Sequence, residues 1–217
     1  MDKETQVQEA QDKKKENKDE ELKKNQQDKI AARDEILVTA LKLFAEKGYF
    51  NTSLSDIKDQ IGAETNNSIY QHFKTKQAIA NELYSNILDN LNISIDDIRR
   101  RNKKVVDQLR EIVDLMFTLA DEAPEIMRFL LILNIPEFLP DEKPIFESKP
   151  FQKILRIIQT GIKSGEIRAL APDVIFAQFF GIIFQTLILM MTGSLTKSTA
   201  TNQSNSWTAA WKCIAKV

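Results

Sequence analysis

An all-α fold is what this chain of 217 residues predicts, and three observations predict it. Apolar residues recur at three- and four-residue spacing from Ile30 almost to the end, the period of helices with one buried face. Only six glycines and six prolines interrupt that pattern, too few for a protein built of turns. Hydrophobic side chains make up 42% of the chain and charged ones 28%, enough for a core at this size. One domain with an appendage, or two small domains, is the expected organisation.

Composition also excludes function classes. Thirty basic residues balance 31 acidic ones, so no excess charge holds a polyanion or a bilayer in bulk, and any such partner is met locally. One histidine, His72, and one cysteine, Cys213, cannot supply a disulfide framework or a Cys/His zinc site, which points to a reducing cytoplasmic compartment. There is no P-loop, dinucleotide glycine fingerprint or nucleophile elbow, and the lone His and Cys are not placed for a His-dependent triad. The chain reads as a non-enzyme with no cofactor and no metal.

Residues 1–29 carry eight lysines and nine acidic residues, with Val7 and Leu22 as the only large aliphatics besides Met1. So little apolar surface does not offset the entropy of ordering, and a polar, disordered tail is expected. Lys23, Lys24 and Lys29 stand just before the folded part, within loose reach of phosphates.

A helix follows, with Ile36, Leu37, Ala40, Leu41, Phe44 and Ala45 on its buried face, and Gly48 stops it. Ser53 with Asp56 three residues on forms a capping signature for a short second helix, whose stripe is Leu54, Ile57 and Ile61 and whose end is Gly62. Thr65 then caps a third, in which Ile69 and Phe73 face inward and small hydrogen-bonding residues face outward. Two short helices across a tight turn read as a helix-turn-helix: the second offers donors and acceptors to base edges while its other face locks to its supports.

Here the chain resembles the TetR (tetracycline-repressor) family of bacterial regulators. The resemblance rests on Arg33, Ile36, Ala40, Leu43, Phe44, Glu46, Lys47, Gly48, Tyr49, Thr52, Ser53, Ile57, Gly62, Tyr70, His72, Phe73 and Lys76. It implies a helix-turn-helix domain over 30–75 and a helical ligand-binding and dimerisation domain over 76–217, with 76–101 as connecting helix. It also implies double-stranded operator DNA and a second copy of the chain as partners, and release by an effector. Phosphate contacts are expected at Ser53, Tyr70, His72 and Lys76, with Lys74 added, and base reading at Asn66, Asn67, Ser68 and Gln71. One departure stands out. Gly62 to Tyr70 is eight residues where the family usually has seven, which puts Glu64 into the turn and Asn67 where a glycine is common. With six basic and six acidic residues over 30–80, affinity must come from placement of charge and from two heads per dimer.

The rest is helical by spacing. Residues 76–101 form one long helix, whose basic end Arg99-Arg100-Arg101 with Lys103 and Lys104 suits a solvated terminus. Further helices are expected over 105–120, 124–135 and 151–163. Between the last two, Pro136, Pro140, Pro144 and Pro150 enforce an irregular loop. Residues 174–196 lack any charge, long enough for a bilayer span, yet Gln178, Gln185 and Thr192 recur every seven positions, which favours a helix shared between a core and a partner subunit. Ile183 and Leu187, with Trp207 and Trp211 of a last helix over 207–215, are the expected dimer contacts. Residues 193–206 are expected to be a mobile polar connection. Nine of the twelve phenylalanines lie between 117 and 184, and with Met116 they suit a pocket for a small apolar or aromatic effector. Its expected lining is Met116, Phe117, Phe129, Asn134, Gln159, Phe176, Gln178 and Phe180. A ligand-responsive DNA-binding repressor is the function these readings favour, with a membrane-associated or ligand-storing helical protein as the alternative.

Overall fold

The computed structural model describes the backbone of residues 3–63, 65 and 67–216 and, from residue 23 on, the side chains of all of these but Asn25. Within them the order is α1 (Lys3–Lys47), α2 (Leu54–Gln60), α3 (Asn67–Tyr70), α4 (Lys76–Arg101), α5 (Val105–Glu122), α6 (Pro124–Leu131), α7 (Ile135–Phe138), a 3-10 turn (Ile145–Glu147), α8 (Lys149–Ser164), α9 (Pro172–Met191) and α10 (Thr199–Ile214). The expected all-α class holds. The only β pairing among the described residues is an isolated bridge between Ile167 and Ala215.

Boundaries differ from the sequence expectation at three places. The backbone of 3–29 continues α1 instead of lying as a disordered tail, and the interleaved charges of that segment can support a helix through pairs one turn apart. Residues 199–206, expected in a mobile connection, open α10, because Ser198 caps it by accepting from the Thr201 amide at 3.4 Å. The helix begun by Pro124 stops at Leu131, and a separate short α7 follows before the proline-rich loop.

Two cores divide the molecule. The amino-terminal core joins α1 (Ile36, Ala40, Phe44), Ile57, Ile69 and Phe73 to the first half of α4, and it also takes in Phe129, Leu130, Ile135 and Phe138 from α6 and α7. Tyr49 stacks on Phe138 with ring centroids 4.2 Å apart, and Phe129 packs against both Phe44 and Phe138. The head is therefore seated on the larger domain through aromatic contacts as well as through α4.

The second core fills the space between α5, α8, α9 and α10. Gly161 permits the tightest approach there: a Cβ on it would stand 2.7 Å from Ile167 Cδ1 and 2.8 Å from Val105 Cγ1. α9 is the helix without charge, long and apolar enough to cross a membrane, and a third of that stretch is buried within one chain. Its buried side is Ile175, Phe176, Phe179, Phe180, Ile183 and Leu187, packed mainly against α10 and α8. Val174, Ala177, Gly181 and Gln185 lie on its open side.

Candidate nucleic-acid interface and ligand cavity

The amino-terminal head is built around the orientation of α3. Ser53 closes a full capping box on α2: its hydroxyl accepts from the Asp56 amide at 3.1 Å, and its own amide donates to Asp56 Oδ2 at 2.7 Å. Those hydrogen bonds hold the Asp56 carboxyl below its usual range, with Lys47 at 3.7 Å adding to the effect. Thr52, fully buried, donates to Gly48 O at 2.9 Å and locks the corner between α1 and α2.

From the other side Arg33 of α1 acts as a clamp. Its guanidinium grips the Glu82 carboxylate of α4 with both Nε and Nη2, donates to the His72 backbone carbonyl at 3.2 Å, and lies 4.5 Å over the Phe73 ring. A planar fork suits this three-way contact and an ammonium does not. The carboxyl end of α3 is thereby tied to two long helices. Arg33 was legible as part of the family signature, but sequence spacing gave it no role.

With Ile69 and Phe73 buried, α3 turns its other residues outward. Asn67, Tyr70, Gln71 and Lys74 are exposed, and Ser68 and His72 are half-buried. Tyr70 stands 51% open. Helical spacing puts Asn67, Tyr70, Gln71 and Lys74 on one side, with Ser68 and His72 at its border. Asn66 and Glu64 lie outside the described residues. The helix itself is shorter than expected, a single turn closed by Phe73 N donating to Ile69 O at 2.9 Å.

Two expected phosphate ligands are already engaged. The Ser53 hydroxyl is held by Asp56 at 2.6 Å, and the neighbouring carboxylate repels a phosphate. The Lys76 ammonium donates to the carbonyls of Tyr49 and Thr52, each at 2.7 Å, and sits 4.1 Å over the Tyr49 ring. Burial lowers its pKa from the usual lysine value, as expected for a cation removed from water. Lys76 is a clip that fastens the α1–α2 connection to the start of α4. The signature placed it correctly, but the inward pull of two carbonyls cannot be read from spacing.

In the larger domain a cavity of about 360 Å³ opens between the 3-10 turn, α8 and α9, lined by Phe146, Leu155, Asp173, Phe176, Ala177, Phe180, Gly181 and Phe184. Of the expected lining, Phe176 and Phe180 are there. Met116 and Phe117 are buried in the same core without reaching the cavity. Phe129 belongs to the other core, because α6 leans on α1. Asn134 is exposed and donates to Glu137 at 2.6 Å, Gln159 is exposed on α8, and Gln178 faces Cys213 of α10 at 4.0 Å. The expected polar groups thus do not converge. Phe146 and Phe184 were the missed members, and their signal was the phenylalanine density together with the proline-rich rim.

The expected dimer contacts lie in two settings. Ile183 and Leu187 are fully buried in their own core, one helical face away from the open side of α9. Trp207 and Trp211 are half-buried and stacked at 5.7 Å, and Trp207 is also held by Phe179 and by Arg110 at 5.0 Å. A helix apolar on both sides gives the sequence no means of telling inside from partner side.

Residues 36–83 match the family described as bacterial regulatory proteins, tetR family. The biofilm operon icaADBC HTH-type negative transcriptional regulator IcaR of Staphylococcus aureus is 30% identical over 105 residues, which are 48% of this chain and 55% of that protein. The HTH-type transcriptional repressor KstR2 of Mycolicibacterium smegmatis is 39% identical over 57 residues, 26% of this chain and 27% of its own length. The chain thus spans about half the length of the first of these relatives and a quarter of the second. Among solved structures, a TetR family transcription regulator from Marinobacter aquaeolei superposes with a TM-score of 0.72 at 18% identity, covering 88% of this chain and all of that one. The ketosteroid transcriptional regulator KstR2 of Mycobacterium tuberculosis gives 0.65 at 20% identity over 85% and 95% of the two chains. At these identities the likeness shows a shared fold.

Proposed function

We propose that this chain, whose residues 36–83 match the tetR family of bacterial regulatory proteins, is a homodimeric transcriptional repressor released from operator DNA by a small, largely apolar effector. The observation that carries the reading is the surface of α3: Asn67, Tyr70, Gln71 and Lys74 point outward together while Ile69, Phe73 and the Arg33 clamp hold the helix from behind. Asparagine and glutamine pair bidentately with adenine, and tyrosine and lysine reach phosphates. Asn66 is part of the proposed reading set, with Ser68 and His72 at its border.

The partner surface in this reading is the open side of α9, Val174, Ala177, Gly181 and Gln185, set beside the exposed residues of α10; Ala177 and Gly181 also line the aromatic cavity, which therefore opens onto this surface. Two helices from each copy then form a four-helix bundle. The membrane alternative loses ground because the other side of α9 is already the core of the soluble bundle.

The effector reading rests on the aromatic cavity, whose 360 Å³ falls at the small end of the range for ligand sites. Phe146 on its rim leads back along the loop to Phe138, which stacks on Tyr49 in the head. A molecule wedged beside Phe146 and Phe176 shifts this loop, and the loop shifts the seat of the head. Only a difference in affinity between the two seatings drives release.

The test is selection of bound fragments from the source genome. Recovery of a recurring two-fold-symmetric sequence with half-sites about one helical turn apart supports the reading. Recovery of fragments with no common sequence rejects it.

A further inference from the structure

The aromatic cavity has a direction. Four of its lining residues, Asp173, Phe176, Phe180 and Phe184, follow one another along α9 at spacings of three and four, so helical geometry sets them on one side of that helix over about 16 Å. Their order puts a carboxylate in the first turn and only rings after it. Phe176 and Phe180 stack with centroids 4.7 Å apart, Phe184 follows at 5.3 Å from Phe180, and Phe146 stands edge-on to Phe176 at 5.7 Å. Leu155 lines the cavity from α8. The result is a trough, long for its 360 Å³, with its charge at one end.

That charge decides which head group fits. Asp173 is the one charged residue of the lining, and no other residue there has a hydrogen-bonding side chain. Among the described residues Asp173 is in no ion pair, and its Oδ1 accepts from the Val174 amide at 3.0 Å. Its Oδ2 accepts from no described residue, which leaves an oxygen for a donor from outside. An ammonium group supplies the donor and the opposite charge, and aromatic rings attract a cation further. An anion drawn to the amino end of α9 meets the Asp173 carboxylate instead. The remainder of the ligand has to be apolar, because the rest of the trough offers it no polar partner.

We propose that the trough takes a linear amphiphilic cation, with an alkylammonium head at Asp173 and an apolar tail running along Phe176, Phe180 and Phe184. This narrows the chemical class of the effector, and it rests on the reading of the cavity as the effector site.

The test titrates the full chain without DNA by calorimetry, using decylammonium, decanol and decanoate, three probes of one chain length kept below their micelle-forming or solubility limits. Decylammonium is expected to bind at least ten-fold tighter than decanoate, with decanol between them. Asp173→Asn should weaken decylammonium at least five-fold and leave decanol within two-fold. Leu155→Trp, which fills the trough, should weaken both at least five-fold, and both variants should keep the wild-type circular dichroism spectrum. Decanoate binding as tightly as decylammonium, or an unchanged decylammonium affinity in Asp173→Asn, would overturn the proposal. If decanol still binds in that case and is weakened by Leu155→Trp, the cavity stays an effector site without the charge preference. Binding by none of the three, or wild-type affinities in Leu155→Trp, would overturn the proposal and the effector reading of the cavity together.

Discussion

Lys74 and Lys76 are two residues apart and of one type, yet the structure gives them opposite work. Lys74 is exposed, whereas Lys76 is drawn between two carbonyls and over a ring. Lys76→Met should therefore lower the stability of the protein by about 1–3 kcal/mol for carbonyls left without their donor, read as a lower melting temperature. It should leave the salt dependence of DNA binding almost unchanged. Lys74→Ala should do the reverse: stability is kept, and the slope of log affinity against log salt flattens by about 0.9 for each lost phosphate contact, about two per dimer. Asn67→Ala, measured against base-substituted operators, should relax preference at one position per half-site by about 1–3 kcal/mol while binding to random duplex is unaltered. At this scale sequence gave the residue types and their neighbourhood. It did not give the direction of each side chain, because Arg33 and Lys76 take their partners from residues far along the chain and from main-chain atoms.

Capping signals, by contrast, were legible, because a cap is a local hydrogen bond between residues a few positions apart. The Ser53–Asp56 box stands where its spacing put it, and Thr75 caps α4 in the same local way, its hydroxyl accepting from the Ala78 amide at 3.0 Å. Ser53→Ala should cost about 0.5–2 kcal/mol through loss of that cap. Asp56 also carries a pH signature. Its carboxyl is held low by the Ser53 bonds, so its contribution is fully present above the ordinary aspartate value of about 3.9 and is lost as pH falls through the lower folded value. Thermal melts below about pH 4 should thus fall more steeply for the wild type than for Asp56→Asn. The face of α9 was illegible for a different reason: with apolar residues all round, period alone fixes the helix but not its rotation. Gly181→Arg, on the open side, should give folded monomers by sedimentation, whereas Ile183→Arg, in the core, should prevent folding. A folded dimer of Gly181→Arg would show that α9 does not face the partner.

Across the whole molecule, the two-core arrangement gives the head a mechanical seat on the large domain. The all-α class and the head's identity were readable because the signature is local, about 45 residues long. The seating of Phe129 and Phe138 against Phe44 and Tyr49 was not, since it joins residues some 90 apart and depends on how α6 leans. If that seat carries the response, effector and operator must oppose each other by equal factors. For a ten-fold effect this coupling is about 1.4 kcal/mol, within reach of a modest apolar molecule. Balanced charge over the head means that non-specific affinity is weak, so discrimination must come from the surface of α3. The most direct test is competition binding of the protein to a duplex selected from the genome against random duplex of the same length at physiological salt. A preference of about a thousand-fold or more, lost when Asn67 and Gln71 are both changed to alanine, is the predicted result. Equal affinity for the two duplexes, or a preference untouched by the double change, would contradict it.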